Sequence, residues 1–146
     1  MTGARRQDDC DFCAIASGKQ PAEVVCAEVN WLAFFPLSPA TRGHTLVVPR
    51  SHVADLWQPD FSLGGELMEA CVRVGRAIRS AVKPDGMNLI SSAGDAAEQS
   101  VFHLHLHLVP RWDGDRIGPL WPPNSEEEPG WIPDISGRVR AACRSG

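Results

Sequence analysis

Apolar and polar positions follow two different periods along this chain, and together they predict most of its elements. Residues 10–17 read as a short helix closed by Gly18. Residues 24–30 and 31–35 read as two strands meeting near Glu28-Val29-Asn30. Pro36, Pro39 and Gly43 mark a loop over 36–43. The next strand is 44–48, ended by Pro49. Leu67, Cys71, Val74, Ile78 and Ala81 recur at helical spacing, which makes 66–83 the main helix, stopped by Pro84 and Gly86. A strand over 87–92, a turn over 94–99 and a strand over 101–109, ended by Pro110, follow. Ser136 is expected to cap a last short helix running through Arg144. The order predicts an α+β domain: a mainly antiparallel sheet of about five strands, one long helix and shorter flanking helices.

The segment 101–109 carries chemistry as well as pattern. His103, His105 and His107 are three of the five histidines, spaced by two, with Leu104, Leu106 and Leu108 between and after them. In an extended strand the imidazoles share one face and the leucines the other. Same-face neighbours lie about 6–7 Å apart, a pitch that can surround a phosphate-sized group. Imidazole is also the side chain that attacks, donates a proton or binds metal near neutral pH. Upstream, Cys10-Asp11-Phe12-Cys13 has a spacing that suits a metal or a redox pair. No thioredoxin-like βαβ pattern surrounds it, which disfavours the redox reading. Cys26, Cys71 and Cys143 have no partner pattern, and Cys71 falls on the apolar stripe of the main helix.

Bulk properties narrow the class. At 43% hydrophobic and 22% charged, the chain of 146 residues reads as soluble and globular. No apolar run approaches the ~20 residues of a membrane helix. The first eleven residues are polar, without an apolar leader, so a cytoplasmic location is expected. The odd cysteine count does not suggest a disulfide scaffold. Net charge is −4 and the basic residues are scattered, which argues against a nucleic-acid polymer as ligand. There is no repeat and no evident interdomain linker. The expected organisation is an N-terminal arm over 1–9, a core domain over 10–112 and a tail over 113–146 that packs on it. The tail carries Trp121 and Trp131 and an acidic run at 126–128, and Trp112 stands just before it.

Taken in order, Phe34-x4-Pro39, Gly43-His44-x-Leu46-x2-Pro49-x2-His52, Gln99-Ser100-Val101-x-His103-x-His105-x-His107 and Pro110-Arg111 resemble the histidine triad (HIT) superfamily of nucleotide hydrolases and transferases. The resemblance covers Cys10 to Arg111. It implies cleavage between the α-phosphate of a nucleotide and its leaving group through a nucleotidyl-histidine intermediate, with His105 as nucleophile. His107 is implied to hydrogen-bond the phosphoryl oxygens or assist leaving-group protonation. Gln99 and Ser100 match positions that contact the phosphate or the bridging oxygen. Phe34 and Leu46 are implied to line the core and part of the base pocket, with Ser92 at a further substrate position. By the same resemblance Cys10, Cys13, His52 and His103 form a zinc site, structural because four protein ligands leave no position for water. Magnesium is expected only as the companion of a polyphosphate substrate. His44 is read as structural, bonding loop backbone. The implied substrate is a small adenine or guanine nucleotide, such as a diadenosine polyphosphate, a nucleoside phosphoramidate or a related adenylate conjugate. The implied assembly is a homodimer through the long helix and an edge strand.

Three positions depart from the family pattern. Pro36 stands where an acidic residue contacts ribose, Ser92 where asparagine is common, and Glu98 where glycine precedes Gln99. A carboxylate beside a bound phosphate repels it, and a backbone conformation that requires glycine is strained with any other residue. These departures favour a second reading, a catalytically weak nucleotide- or zinc-binding module acting through a protein partner. The complete triad with Gln99 favours the enzyme. Removal of adenylate from nucleic-acid ends is a third reading, opposed by the acidic balance and the lack of a basic arm.

Overall fold

Five short strands form one antiparallel sheet in a computed structural model that describes residues 7–123 and 129–146. They are β1 (Glu23–Ala27), β2 (Trp31–Phe35), β3 (Thr45–Pro49), β4 (Gly86–Ile90) and β5 (Leu106–Arg111), in the spatial order β1-β2-β3-β5-β4. Three helices, α1 (Asp11–Ala16), α2 (Phe61–Val82) and α3 (Ile132–Ser145), complete an α+β architecture. The acidic run at 126–128 and residues 1–6 of the expected arm lie outside the described residues.

The centre of the sheet is buried on both faces, which is why β2 and β3 are near-continuous apolar runs rather than alternations. On one face Trp31, Ala33, Val47, Leu104 and Leu108 pack against Leu67, Ala70, Cys71, Val74 and Ile78 of α2. On the other, Leu32, Phe34, Leu46 and Val48 pack against Phe12, with Ile15 and Ala16 of α1 beside them. Helix α1 opens on Cys10, whose sulfur accepts from the Cys13 N–H at 3.4 Å. At its other end Arg50 donates to the Ala16 carbonyl and to the Glu28 carbonyl, both at 2.7 Å. That guanidinium satisfies an otherwise orphaned helix carbonyl and latches α1 to the β1–β2 turn.

Four expectations need correction. Helix α2 begins at Phe61 rather than 66, because Asp60 caps it by accepting from the Leu63 N–H at 2.8 Å. Gly64 and Gly65 lower the helical signal of that first turn without breaking it. The histidine strand begins at Leu106, not 101: residues 101–105 are irregular, and the Leu104 N–H leaves the ladder to bond the Val53 carbonyl at 2.7 Å. Pro49 and Pro110 lie within β3 and β5 instead of ending them from outside. Pro110 is tolerated because β3 pairs β5 only over 106–108, so at that point β5 has β4 alone as neighbour. Ser136 is not a cap: α3 opens at Ile132 with Pro133 in its first turn, and the Ser136 hydroxyl bonds the Pro133 carbonyl at 3.1 Å.

The chain divides into two compact units, Met1–Asp115 and Arg116–Gly146. Near the end of the first, Arg111 closes a corner on Asp115, with Nε and Nη2 donating at 2.6 and 2.9 Å. In the second, the turn Pro129–Trp131 leads into α3, which carries an exposed Asp134–Arg138 pair.

Candidate functional site

Two imidazole groups meet where irregular residues 101–105 run into β5. In the first, His105 and His107 have ring centroids 4.9 Å apart, and His44 stacks behind His107 at 5.1 Å. The β3–β5 register, which sets Leu46 opposite His107, brings His44 there from the start of β3. Hydrogen-bond partners assign the tautomers. His44 Nδ1 accepts from the Ala40 N–H at 2.9 Å, so its Nε2 carries the proton and donates to His107 Nδ1 at 2.9 Å. His107 is thereby left with Nε2–H as a donor. His105 Nδ1 donates to the His103 carbonyl at 2.7 Å, which leaves its Nε2 as a free lone pair. Burial lowers the pKa of all three rings; His107 falls to about 4, through burial first and then through His105 and His44. Neutral imidazole is therefore the resting form, the state a nucleophile needs.

The second group is Cys10, Cys13, His52 and His103, whose ligand atoms all lie within 4.8 Å of one another. Cys13 Sγ is 3.2 Å from His52 Nδ1 and 3.4 Å from His103 Nδ1, and Cys10 Sγ is 3.4 Å from His103 Nδ1. Tetrahedral zinc, with bonds of about 2.3 Å to sulfur and 2.0–2.1 Å to nitrogen, requires sulfur–nitrogen edges of about 3.6 Å, so the cradle fits with little adjustment. His103 is fully buried and donates from Nε2 to the Pro49 carbonyl at 2.8 Å. This fixes the tautomer with Nδ1 free for a metal, the arrangement that outer-shell bonds impose on metal-ligating histidines. Burial holds His103 down at about 4, the Pro49 bond opposing and His52 and His105 adding, and it pushes the Cys13 thiol up to about 11, with Cys10 adding to the rise. These four residues could hold a metal; the two-thiol, two-imidazole donor set suits zinc rather than magnesium.

The expected row of three histidines is thus two plus one. The His103 ring neighbours His52 at 5.2 Å and Phe12 at 5.9 Å. Gln99 is only 4% exposed and faces inward. Its Oε1 accepts from the Gly94 N–H, and its Nε2 donates to the carbonyls of Ala54 and Val101, so neither amide proton is left for a phosphoryl oxygen. Ser100 is exposed and borders a cavity of about 110 Å³ together with Asp9, Asp11 and His52. Ser92 is half-buried just past the end of β4, whose Ile90 lies opposite His107. Phe34 and Leu46 are buried rather than lining an open cleft, because Phe12 closes over them, with Phe12 and Phe34 centroids 5.4 Å apart. Glu98 is exposed and adopts φ 63°, ψ 27°, the left-handed conformation that glycine takes without penalty.

Sequence reasoning missed two contacts. His44 bonds loop backbone as its Gly-His setting predicts, but its bond to His107 depends on strand pairing that no local pattern reveals. Phe12, inside the Cys-x-x-Cys segment, sets its ring edge-on against His105 at 5.2 Å. The one-turn helix that aims the two sulfurs also aims this ring.

Fold and site together define an α+β protein with a cluster of neutral imidazoles beside a two-thiol, two-imidazole group that could hold a metal. The HIT domain family model matches residues 17–114. The crystal structure of a HIT family member from Bacillus subtilis superimposes with a TM-score of 0.83 at 34% identity, covering 91% of this chain and 96% of that one. A zinc-bound histidine triad family protein from Mycobacterium smegmatis is 36% identical with a TM-score of 0.73, covering 94% and 99%. Adenylylsulfatase HINT3 from Arabidopsis thaliana is 31% identical over 109 residues, 75% of this chain and 55% of that protein. The chain belongs to the HIT domain family, whose members are generally nucleotide hydrolases and transferases.

Proposed function

We propose that this chain is a nucleotidyl hydrolase or transferase in which His105 attacks the α-phosphorus of a nucleoside polyphosphate or phosphoramidate. The observation that carries the reading is the bond from His105 Nδ1 to the His103 carbonyl, which points the reactive lone pair of Nε2 away from the backbone. As the Nε2–phosphorus bond forms, the bond from phosphorus to the leaving group breaks and the leaving group takes its electron pair. The His107 Nε2–H, held by His44, steadies the phosphoryl oxygens as a hydrogen-bond donor, and the departing atom takes its proton from solvent. Water then cleaves the phosphorus–nitrogen bond, releasing the nucleoside monophosphate and neutral His105. Gln99 orders the loop, and Ser100 is the exposed hydroxyl beside it. The activity in the name of the Arabidopsis relative, cleavage of an adenylyl sulfate, supports chemistry at an α-phosphorus.

Zinc bound by Cys10, Cys13, His52 and His103 would tie α1 and the segment after β3 to the histidine segment, with no coordination position left for water. The zinc-bound relative supports this assignment. A homodimer through α2 and the edge strand β4 is consistent with Met68, Val72 and Leu89, which are exposed apolar side chains on those elements. Among the described residues, no helix is long and apolar enough to cross a membrane.

The test is mass spectrometry after brief mixing with adenosine phosphoramidate or diadenosine tetraphosphate, with His105→Ala as control. An AMP adduct on the parent alone, followed by AMP release, is the expected result and ranks the two substrate classes. Glu98, in its left-handed conformation beside Gln99, favours the second reading of a weakly catalytic binding module. Nucleotide binding with neither adduct nor AMP would establish that reading instead.

A further inference from the structure

Gln99 makes three bonds that join parts of the molecule the reaction itself does not connect. Its Oε1 accepts from the Gly94 N–H at 2.8 Å, and Nε2 donates to Val101 at 3.2 Å, which closes the loop carrying Glu98 and Ser100. The remaining bond, from Nε2 to the Ala54 carbonyl at 2.6 Å, crosses 45 residues of sequence. Ala54 lies two residues beyond His52, a member of the metal group. Between them, the Val53 carbonyl accepts from the N–H of Leu104, the residue that separates His103 from His105. The short segment 52–54 is therefore held at three successive residues. His52 meets the Cys13 sulfur, Val53 meets the histidine segment, and Ala54 meets Gln99.

The geometry points to Gln99 as a positioning residue that braces loop 94–101 against the metal centre, so that metal occupancy and order in this loop are coupled. The inference rests on the metal assignment above and is independent of the catalytic one. Its physical basis is a buried amide whose two donors and one acceptor are all engaged, which makes the joint directional and costly to break. The loop needs such a joint. It holds a left-handed Glu98, and its own backbone ties are the Ala97 and Gln99 N–H groups to the Gly94 carbonyl, both at 3.1 Å, and the Glu98 N–H to the Asp95 carbonyl at 3.0 Å. Coupling is reciprocal: a variant that frees the loop weakens the metal by the same factor that metal loss loosens the loop.

The test uses zinc and the full chain, and neither readout needs turnover. Zinc affinity is measured by competition with a chelator for the parent, Gln99→Leu and Gln99→Glu. The first variant removes all three bonds, and the second keeps shape and acceptor but loses both donors. Both are expected to weaken zinc by about tenfold, the low end for residues supporting a metal ligand. Hydrogen exchange at the Ala97, Glu98 and Gln99 amides is expected to accelerate through local opening when zinc is removed from the parent, while Val74 and Ile78 in α2 accelerate only in step with the global stability lost with the metal. If Gln99→Leu does not fold, Gln99→Glu and the exchange on the parent carry the test. Unchanged zinc affinity in the folded variants, or loop exchange indifferent to zinc, overturns the inference. A parent chain that binds no zinc overturns the metal assignment and this inference with it, whereas a missing AMP adduct bears on catalysis alone.

Discussion

His103 and His105 are two residues apart, both buried and both held neutral by that burial, yet they have opposite reactive atoms. His103 gives its Nε2 proton to the Pro49 carbonyl and presents Nδ1 to two sulfurs. His105 gives its Nδ1 proton to the His103 carbonyl and keeps the Nε2 lone pair. Burial and residue type are shared, so neither explains the division of labour. The backbone carbonyl that each ring reaches decides which nitrogen is left over, and in the proposed function one leftover nitrogen faces the metal group and the other the substrate.

The sharpest way to break this comparison is to remove each ring in turn. His105→Ala is expected to lower AMP release on the order of 10⁴-fold or more while zinc content stays at the parent's value. Loss of zinc from that variant would show that the two groups are not separable. His44→Ala tests the tautomer chain from the other side. It frees the Ala40 N–H and removes the donor to His107, and a fall in kcat of about 100-fold with unchanged AMP affinity is expected. An equal fall in affinity would place His44 in binding instead.

Smaller effects sharpen the metal side. Chelating zinc is expected to lower Tm by about 10 °C, measured by calorimetry, since a ligand held only by the native state adds directly to stability. The His44–His107 pair predicts an acid limit of its own. Both rings have folded-state pKa values below the unfolded 6.5, and His107 lies near 4. The unfolded chain therefore binds more protons between these values, so stability is complete above about pH 6.5 and declines toward pH 4. Replacing His44 should flatten that decline in a urea titration across pH. The smallest effect is expected from Glu98→Gly, which relieves a left-handed residue worth roughly 1 kcal/mol and raises the urea midpoint slightly. Equal turnover of that variant and the parent on every substrate would remove any electrostatic role for Glu98.

Much of this could be read from the sequence, and the exceptions share a cause. The order of strands and helices follows from periodicity, and α2 departs from expectation mainly over 61–65, where two glycines replace apolar signal. Local pattern could not show that residues 101–105 leave the ladder, because the bond that draws Leu104 away comes from Val53, 51 positions earlier in the chain. His44, Phe12 and Gln99 make contacts that local pattern does not reveal, for the same reason. Each acquires its partner through tertiary closure: His107 across β3 and β5, His105 beneath α1, and Ala54 across the loop. Residue types mark where the candidate site lies, and their hydrogen-bond partners set which atom of each ring is available.

The acceptor for His105 is the main-chain oxygen of residue 103, and every amino acid supplies that oxygen. Inheritance can therefore treat the side chain and the carbonyl at this position separately. A chain with another side chain at 103 would lose one member of the metal group yet keep the atom that orients the His105 ring.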